Sequence, residues 1–122
     1  MLKIFYKNTC STCRNALAFI KENTKEKVEI IEYMKEVPTQ KELGEIIKML
    51  GITPEELVRK KEKLYKEEYK DKKLTGRQWI KAMAENPQLI ERPIVIKGSK
   101  AIIGRPAVTV VDFVKGRKSV KK

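Results

Sequence analysis

Two cysteines, Cys10 and Cys13, stand three positions apart where a short apolar run gives way to a helical pattern. They are the only cysteines in the chain. A helix N-terminus presents free N–H groups and a partial positive charge, and both stabilise the thiolate that makes a cysteine reactive. The position therefore predicts a nucleophile at Cys10. Cys13 is either a second reactive thiol, close enough to form a disulfide with Cys10, or a helix residue that only packs.

The composition narrows the chemistry available to this pair. The chain has 122 residues, which suits one domain, and no histidine, which excludes Ser-His-Asp and Cys-His catalytic pairs. Two cysteines supply half of a zinc cage, so we predict no metal site and no bound cofactor. No apolar run is long enough for a membrane span, and the first residues do not form a signal peptide. We therefore predict a cytoplasmic protein without a membrane partner, where a cysteine pair is more often catalytic or redox-sensing than structural.

The charge of the chain is strongly positive, at +12 from 28 basic and 16 acidic residues. Such an excess indicates an anionic partner or a solvated basic surface. Residues 115–122 carry five basic and no acidic side chains, and they predict a basic flexible tail. No DNA-binding motif is present, and no aromatic residues alternate with the basic residues of the tail, so we predict no specific nucleic-acid partner.

The hydrophobic pattern predicts the order β-α-β, a helical stretch, and then β-β-α. Strands are predicted at Leu2–Tyr6 and Val28–Tyr33, and the helix between them is capped by Ser11 or Thr12 and runs to about Asn23. A hairpin is predicted around Gly98. The last helix is predicted to begin at Pro106, with three valines facing inward: Val108, Val111 and Val114.

The middle of the chain, about residues 36–88, is predicted to be a helical insertion. Thr39 and Thr53 each begin a capping box, and Thr75 caps a helix that ends at Asn86. Gly51 is predicted to end the first of these helices. The third helix carries an apolar set, namely Trp79, Ile80, Met83 and Ala84. The charged stretch Arg59–Lys73 is predicted as surface helix or loop. Residues 1–114 are thus predicted to form a single α/β domain with Cys10 at the carboxyl end of the first strand, where α/β sheets bind ligands.

Four motifs together resemble the arsenate reductase family, ArsC/Spx, over about residues 2–114. They are Cys10 followed by Arg14-Asn15, Gly51-Ile52 followed by Leu57-Val58-Arg59-Lys60, Arg92-Pro93-Ile94-Val95, and Gly104-Arg105-Pro106. The resemblance implies a thioredoxin/glutaredoxin-like core, β-α-β…β-β-α, with an inserted helical subdomain. It also implies a thiol-dependent reductase of arsenate or a similar oxyanion.

The resemblance implies a role for each motif residue. Cys10 is the nucleophile that attacks arsenate, and Cys13 or an external thiol resolves the adduct. Three arginines hold the oxyanion, namely Arg59, Arg92 and Arg105. Guanidinium groups suit this task because they stay charged and form paired hydrogen bonds to oxyanions. Pro93 is the cis-proline that faces the cysteine in thioredoxin-like folds, and Arg14 gives electrostatic support. The reductant is glutathione with glutaredoxin, or thioredoxin.

Two residues depart from the glutaredoxin-linked reductases. Those enzymes have a histidine where Tyr6 stands, so thiolate formation here is expected to depend on the helix N-terminus, Lys7, Arg14 and the arginines. They also commonly have no cysteine at the position of Cys13. A Cys-x-x-Cys pair resembles the Spx branch instead, whose members are redox-sensing regulators that bind RNA polymerase. The alternative prediction is therefore a regulator switched by a Cys10–Cys13 disulfide. The Spx branch generally lacks an equivalent of Arg105-Pro106, which favours the enzyme.

Overall fold

Four strands form one sheet in the computed structural model, which describes residues 2–116. They are β1 (Leu2–Tyr6), β2 (Val28–Glu32), β3 (Ile94–Lys97) and β4 (Lys100–Ile103), in the order β2-β1-β3-β4. β1 and β2 are parallel, whereas β3 is antiparallel to both β1 and β4. The predicted α/β fold and the terminal hairpin are confirmed. The predicted tail lies outside the described residues from Arg117 onward.

One face of this sheet is covered by two helices, α1 (Ser11–Asn23) and α4 (Thr109–Val114). Leu2 and Ile4 are two positions apart on β1, so their side chains leave the strand on the same face. They pack into a cluster with one residue of β3 and two residues from each helix, namely Val95, Ala16, Ile20, Val110 and Val114. The Lys97 ammonium group donates a hydrogen bond to the Val114 carbonyl and thereby caps the end of α4.

Two details of the predictions for α1 and α4 are wrong. Cys10 is the N-cap residue of α1, in place of Ser11 or Thr12, and its side chain makes no capping hydrogen bond. α4 begins at Thr109, and Val108 is 58% exposed although it was expected to face inward. Three successive i→i+3 hydrogen bonds wind residues 106–111 more tightly than an α-helix. The tighter winding turns Val110 toward the sheet instead.

Residues 34–91 form a second compact unit. Its α-helices are α2 (Gln40–Leu50) and α3 (Gly76–Glu85). A 3₁₀ turn at Pro54–Leu57 and a π-helical turn at Tyr65–Tyr69 lie between them, and a second 3₁₀ turn at Pro87–Leu89 follows α3. The capping boxes predicted at Thr39 and Thr53 are present, and Thr75 forms a third one with Gln78. Gly51 ends α2 with a φ of 69°, a conformation that favours glycine.

The aromatic residues of the charged stretch pack against α3. The rings of Tyr65 and Tyr69 lie 6.2 Å and 5.8 Å from the Trp79 ring, centroid to centroid. Of the apolar set named from the sequence, Trp79 and Met83 are buried, whereas Ile80 and Ala84 are half-buried. Ala82 is the third buried residue of α3. The aromatic contacts explain why a segment this charged is ordered. No helix within residues 2–116 is long and apolar enough to cross a membrane.

We predict that Gly104→Ala destabilises the protein by about 1–3 kcal/mol, because the added methyl group overpacks the core. A Cβ at position 104 would lie 3.0 Å from Val110 Cγ1 and 3.1 Å from Pro93 Cγ. The matched control is Gly44→Ala in α2, where a Cβ meets nothing within 4 Å and the better helix propensity should stabilise by about 1 kcal/mol. Urea unfolding measures both free energies. Equal changes in the two variants would contradict this account of Gly104.

Candidate active site

The turn between β1 and α1 holds Cys10 at the helix N-terminus. The Cys10 N–H donates to the Lys7 carbonyl at 3.0 Å, and the Cys10 carbonyl accepts the first helical hydrogen bond from the Arg14 N–H at 3.1 Å. The Arg14 guanidinium bridges back to the Asn8 carbonyl at 2.7 Å. Arg14 therefore shapes the turn that carries the nucleophile. Both cysteines are free thiols, Cys10 half-buried and Cys13 fully buried.

The environment of Cys10 favours its thiolate. Burial by itself would raise the pKa of this thiol, but hydrogen bonds from the backbone N–H and the thiol of Cys13, together with the hydrogen bond and charge of Arg92, lower it to about 7. The ordinary value is 9.0, so the ionised form is far more abundant near neutral pH than in a free cysteine. The helix N-terminus, through the Cys13 N–H, and Arg92 thus lower the pKa as expected, whereas Lys7 and Arg14 are not among the causes.

Cys13 has the opposite character although it belongs to the same helical turn. Burial is the main cause that raises the pKa of its thiol to about 12, and the hydrogen bond and negative charge of Cys10 add to it. A backbone hydrogen bond from Lys7, which is the second-largest contribution after burial, and the charge of Arg92 lower the pKa, but the raising contributions together outweigh them. At neutral pH the pair therefore consists of an accessible thiol that is substantially ionised and a buried thiol that stays protonated.

Arg105 lies beside the Cys10 sulfur. Its Nη2 is 3.7 Å from Cys10 Sγ, and its Nη1 is 3.4 Å from the Thr12 hydroxyl on the first turn of α1. Its Nε donates to the Arg92 carbonyl at 2.7 Å, which fixes the plane of the guanidinium group. The fork of Arg105 is thus directed at the nucleophile and at the start of the helix.

Arg92 is the other cation of this site, and it is 7% exposed. Its Nη1 donates to the hydroxyl of Tyr33 at 3.4 Å, and its guanidinium group interacts with the Cys10 sulfur through a hydrogen bond and through its charge. Its Nε is buried without a hydrogen-bond partner in the described residues. Burial would lower the pKa of Arg92, but Tyr33 and Cys10 outweigh burial and raise it. The guanidinium therefore remains a cation although it is buried.

Both arginines precede a proline, and both peptide bonds, Arg92-Pro93 and Arg105-Pro106, are cis. The cis isomer expected at Pro93 is therefore present, and a second one occurs at Pro106. The Gly104 N–H donates to the Pro93 carbonyl at 2.8 Å, so the segments before β3 and after β4 are joined. Glycine suits this close approach, because a Cβ at position 104 would press against the side chains of Pro93 and Val110.

Arg59, the third predicted oxyanion ligand, belongs to the second compact unit, residues 34–91. Two acidic side chains lie next to its guanidinium group. Its Nη1 lies 3.2 Å from Glu91 Oε1, and its Nε is 4.0 Å from Glu62 Oε2. Its N–H donates to the Leu89 carbonyl at 2.7 Å. The charge of Arg59 is therefore balanced by carboxylates of its own unit, unlike that of Arg92.

The structure brings four of the predicted site residues together: Cys10, Cys13, Arg92 and Arg105. Two further residues of the site, Tyr33 and Thr12, were not predicted as functional. Tyr33 directly follows a strand parallel to β1, so strand topology could have pointed to it. Tyr6, where the resemblance had implied a histidine, packs against the core. Within residues 2–116 no three His, Cys, Asp or Glu side chains cluster as metal ligands would.

Comparison with known proteins identifies relatives over nearly the whole chain. "Uncharacterized protein YfgD" of Escherichia coli is 40% identical over 115 residues, which span 93% of this chain and 96% of that protein. A protein of Haemophilus influenzae named arsenate reductase is 39% identical over 112 residues, or 90% of this chain and 96% of that protein. The solved structure of an arsenate reductase from Vibrio cholerae superposes with a TM-score of 0.83 at 34% identity, and the match covers 96% of this chain and 97% of that one.

The sequence also matches the profile of the ArsC family over residues 5–113, which includes both cysteines and all the arginines discussed above. The predicted thioredoxin-like classification is confirmed. This chain belongs to the ArsC family.

Proposed function

We propose that this protein is a thiol-dependent arsenate reductase, in which Cys10 attacks arsenate or a related oxyanion held by Arg92 and Arg105. The observation that carries the proposal is a thiol whose pKa is lowered to about 7, with the Arg105 Nη2 atom 3.7 Å from its sulfur. Relatives named arsenate reductase support it. No bound cofactor takes part, since the electrons come from a thiol co-substrate.

In the first step the Cys10 thiolate attacks the arsenic atom. An S–As bond forms, an oxygen of arsenate leaves as water after protonation, and arsenic remains pentavalent. A thiolate and an arsenate dianion repel each other, and the adjacent guanidinium groups of Arg92 and Arg105 offset that repulsion. Their planar N–H donors also suit a tetrahedral oxyanion. Arg59 is proposed as a third ligand, for which it would have to exchange Glu91 for the anion.

In the second step another thiol attacks the sulfur of Cys10. An S–S bond forms and the S–As bond breaks, and its electron pair leaves with arsenic, which becomes trivalent arsenite. Cys10 is half-buried and accessible to a small thiol, whereas Cys13 is buried and its pKa of about 12 keeps it protonated at neutral pH. These features favour glutathione as the resolving thiol and glutaredoxin as the reductant of the mixed disulfide. Thioredoxin would serve if Cys13 resolves the adduct.

A second candidate function rests on the contact between the two cysteines. The thiol and the N–H of Cys13 both donate to the Cys10 sulfur, so little movement is needed to close a disulfide. That contact suits an Spx-like regulator that binds RNA polymerase and is switched by oxidation of the pair. The two guanidinium groups at Cys10 have no evident use in such a switch, which is why we place the reductase first.

We predict that alkylation of Cys10 by iodoacetamide follows a titration with a midpoint near pH 7. Since the folded pKa is about 7 and the ordinary one is 9.0, the rate should rise below pH 8 and level off above it. Mass spectrometry of the modified peptide measures the rate. Cys10→Ser is the control, because its remaining thiol is buried and should react little. A midpoint near 9 would refute the activated thiol.

We predict arsenate-dependent oxidation of NADPH when the protein is coupled to glutathione, glutaredoxin and glutathione reductase. Cys10→Ser should abolish turnover, and Arg105→Ala should lower kcat/KM by roughly 10²-fold, because a charged donor facing the reacting anion is removed. The matched control is Arg77→Ala, which removes an exposed arginine of α3 and should leave turnover unchanged. Absence of turnover with either glutaredoxin or thioredoxin, in folded and reduced protein, would refute the reductase.

Cys13→Ser separates the two candidate functions. With glutathione and glutaredoxin we predict that this variant retains turnover within about tenfold, because the external thiol resolves the adduct and only a hydrogen bond to Cys10 weakens. RNA polymerase binding, measured with oxidised and with reduced wild-type protein, should be absent in both states. Redox-dependent binding that Cys13→Ser abolishes would instead support the regulator.

A further inference from the structure

Arg92 is the one buried charged residue among the described residues. Removing a guanidinium from water costs free energy unless hydrogen bonds and an opposite charge compensate. A buried arginine is usually paired with a carboxylate, as the half-buried Arg59 is with Glu91 in the other unit. The partners of Arg92 are a tyrosine hydroxyl and a cysteine sulfur, and the positive charge of Arg92 therefore acts on Cys10.

The partners of Arg92 within residues 2–116 are the Tyr33 hydroxyl and the Cys10 sulfur. The hydroxyl lies 3.4 Å from Nη1, and no carboxylate of the described residues forms an ion pair with this guanidinium. A phenol oxygen accepts a hydrogen bond but carries no charge. It can fix the position of the cation without neutralising it.

We propose that Tyr33 is a positioning residue of the active site. Its hydroxyl holds the buried Arg92 guanidinium toward Cys10 through an uncharged hydrogen bond, which leaves the positive charge available to the thiolate and to an incoming oxyanion. The role of Tyr33 deepens the proposed reductase and depends on it only for the identity of that anion.

Tyr33 is well placed for this role. It directly follows β2, which runs parallel to β1, so it leaves the sheet at the same edge as the turn that carries Cys10. Its side chain is fully buried, although it comes directly after the half-exposed edge strand β2. A buried tyrosine hydroxyl requires a partner, and a buried guanidinium requires an acceptor. The Tyr33 hydroxyl therefore supplies the acceptor for the Arg92 Nη1.

The groups that face Cys10 come from three elements: Cys13 on α1, Arg92 before β3 and Arg105 after β4. Tyr33 reaches Cys10 through Arg92. Loss of the Tyr33 hydroxyl should therefore weaken the hold on Arg92 and raise the pKa of Cys10, while the contributions of Cys13 and Arg105 remain.

The experiment is a double-mutant cycle with Tyr33→Phe and Arg92→Ala. Two readouts need no arsenate: the midpoint pH of Cys10 alkylation, and the sulfate concentration that halves the alkylation rate. For Tyr33→Phe we expect the midpoint to rise by roughly half a unit to one unit and the sulfate concentration to rise by about 3–10-fold. In the Arg92→Ala background the same substitution should change neither value.

The matched control is Tyr65→Phe, the same change within the aromatic cluster around Trp79, which should leave both readouts at the wild-type values. Urea unfolding of every variant separates a loss of fold from a change at the site. The proposal is overturned if Tyr33→Phe leaves the midpoint and the sulfate concentration unchanged, or if its full effect persists without Arg92.

A measurement on the wild-type protein covers the case in which Tyr33→Phe does not fold. Side-chain ¹⁵N NMR should resolve separate Nη signals for Arg92, because a held guanidinium rotates slowly about its Cζ–Nε bond. A single averaged signal would overturn the positioning role. If the protein does not turn over arsenate but the double-mutant cycle gives the expected shifts, the proposed substrate is wrong and the role of Tyr33 stands. If the protein turns over arsenate but the cycle shows no shift, the reductase stands and the role of Tyr33 is wrong.

Discussion

The site depends on a guanidinium group that is kept charged inside the protein. Arg92 is 7% exposed, and within residues 2–116 it donates a hydrogen bond to a phenol hydroxyl and forms no ion pair with a carboxylate. The thiolate of Cys10 supplies the negative charge that a buried cation needs, so the cation and the anion stabilise each other's ionised forms. A cation in a water-poor environment also attracts a small anion far more strongly than an arginine at the surface.

The terminal hairpin explains how two arginines thirteen positions apart converge on one sulfur. Ile94 of β3 pairs with Ile103 of β4, so Arg92 and Arg105, each two residues beyond this pair, leave the hairpin at the same end. The Arg105 Nε then bonds to the Arg92 carbonyl, and Gly104 bonds to Pro93. Because β3 is antiparallel to β1, this end of the hairpin meets the carboxyl end of β1, where the Cys10 turn begins.

Local signals in the sequence predicted the local structure well. The capping boxes at Thr39 and Thr53, the left-handed Gly51 and the hairpin at Gly98 each depend on a few adjacent residues. The prediction of which α4 residues face inward was wrong because the tight turn before the helix rotates it. A shift of one or two residues changes which valine is buried. The hydrogen-bond partners of the site side chains could not be predicted, for a different reason. The bonds from Arg92 to Tyr33 and from Arg105 to Thr12 join residues far apart in sequence, and periodicity carries no information about them.

The two thiols differ in a way that can order the reaction. The pKa of Cys13 is raised mainly by burial and further by the hydrogen bond and charge of the Cys10 thiolate. In the proposed mechanism the S–As bond removes that charge, and the Cys10 sulfur then accepts hydrogen bonds weakly. Two of the causes that keep Cys13 protonated therefore weaken when the adduct forms, because the negative charge then lies on the arsenate oxygens and not on the sulfur, while burial persists. In this mechanism we therefore expect Cys13 to become a better nucleophile only after Cys10 has reacted, because the free Cys10 thiolate disfavours ionisation of its neighbour.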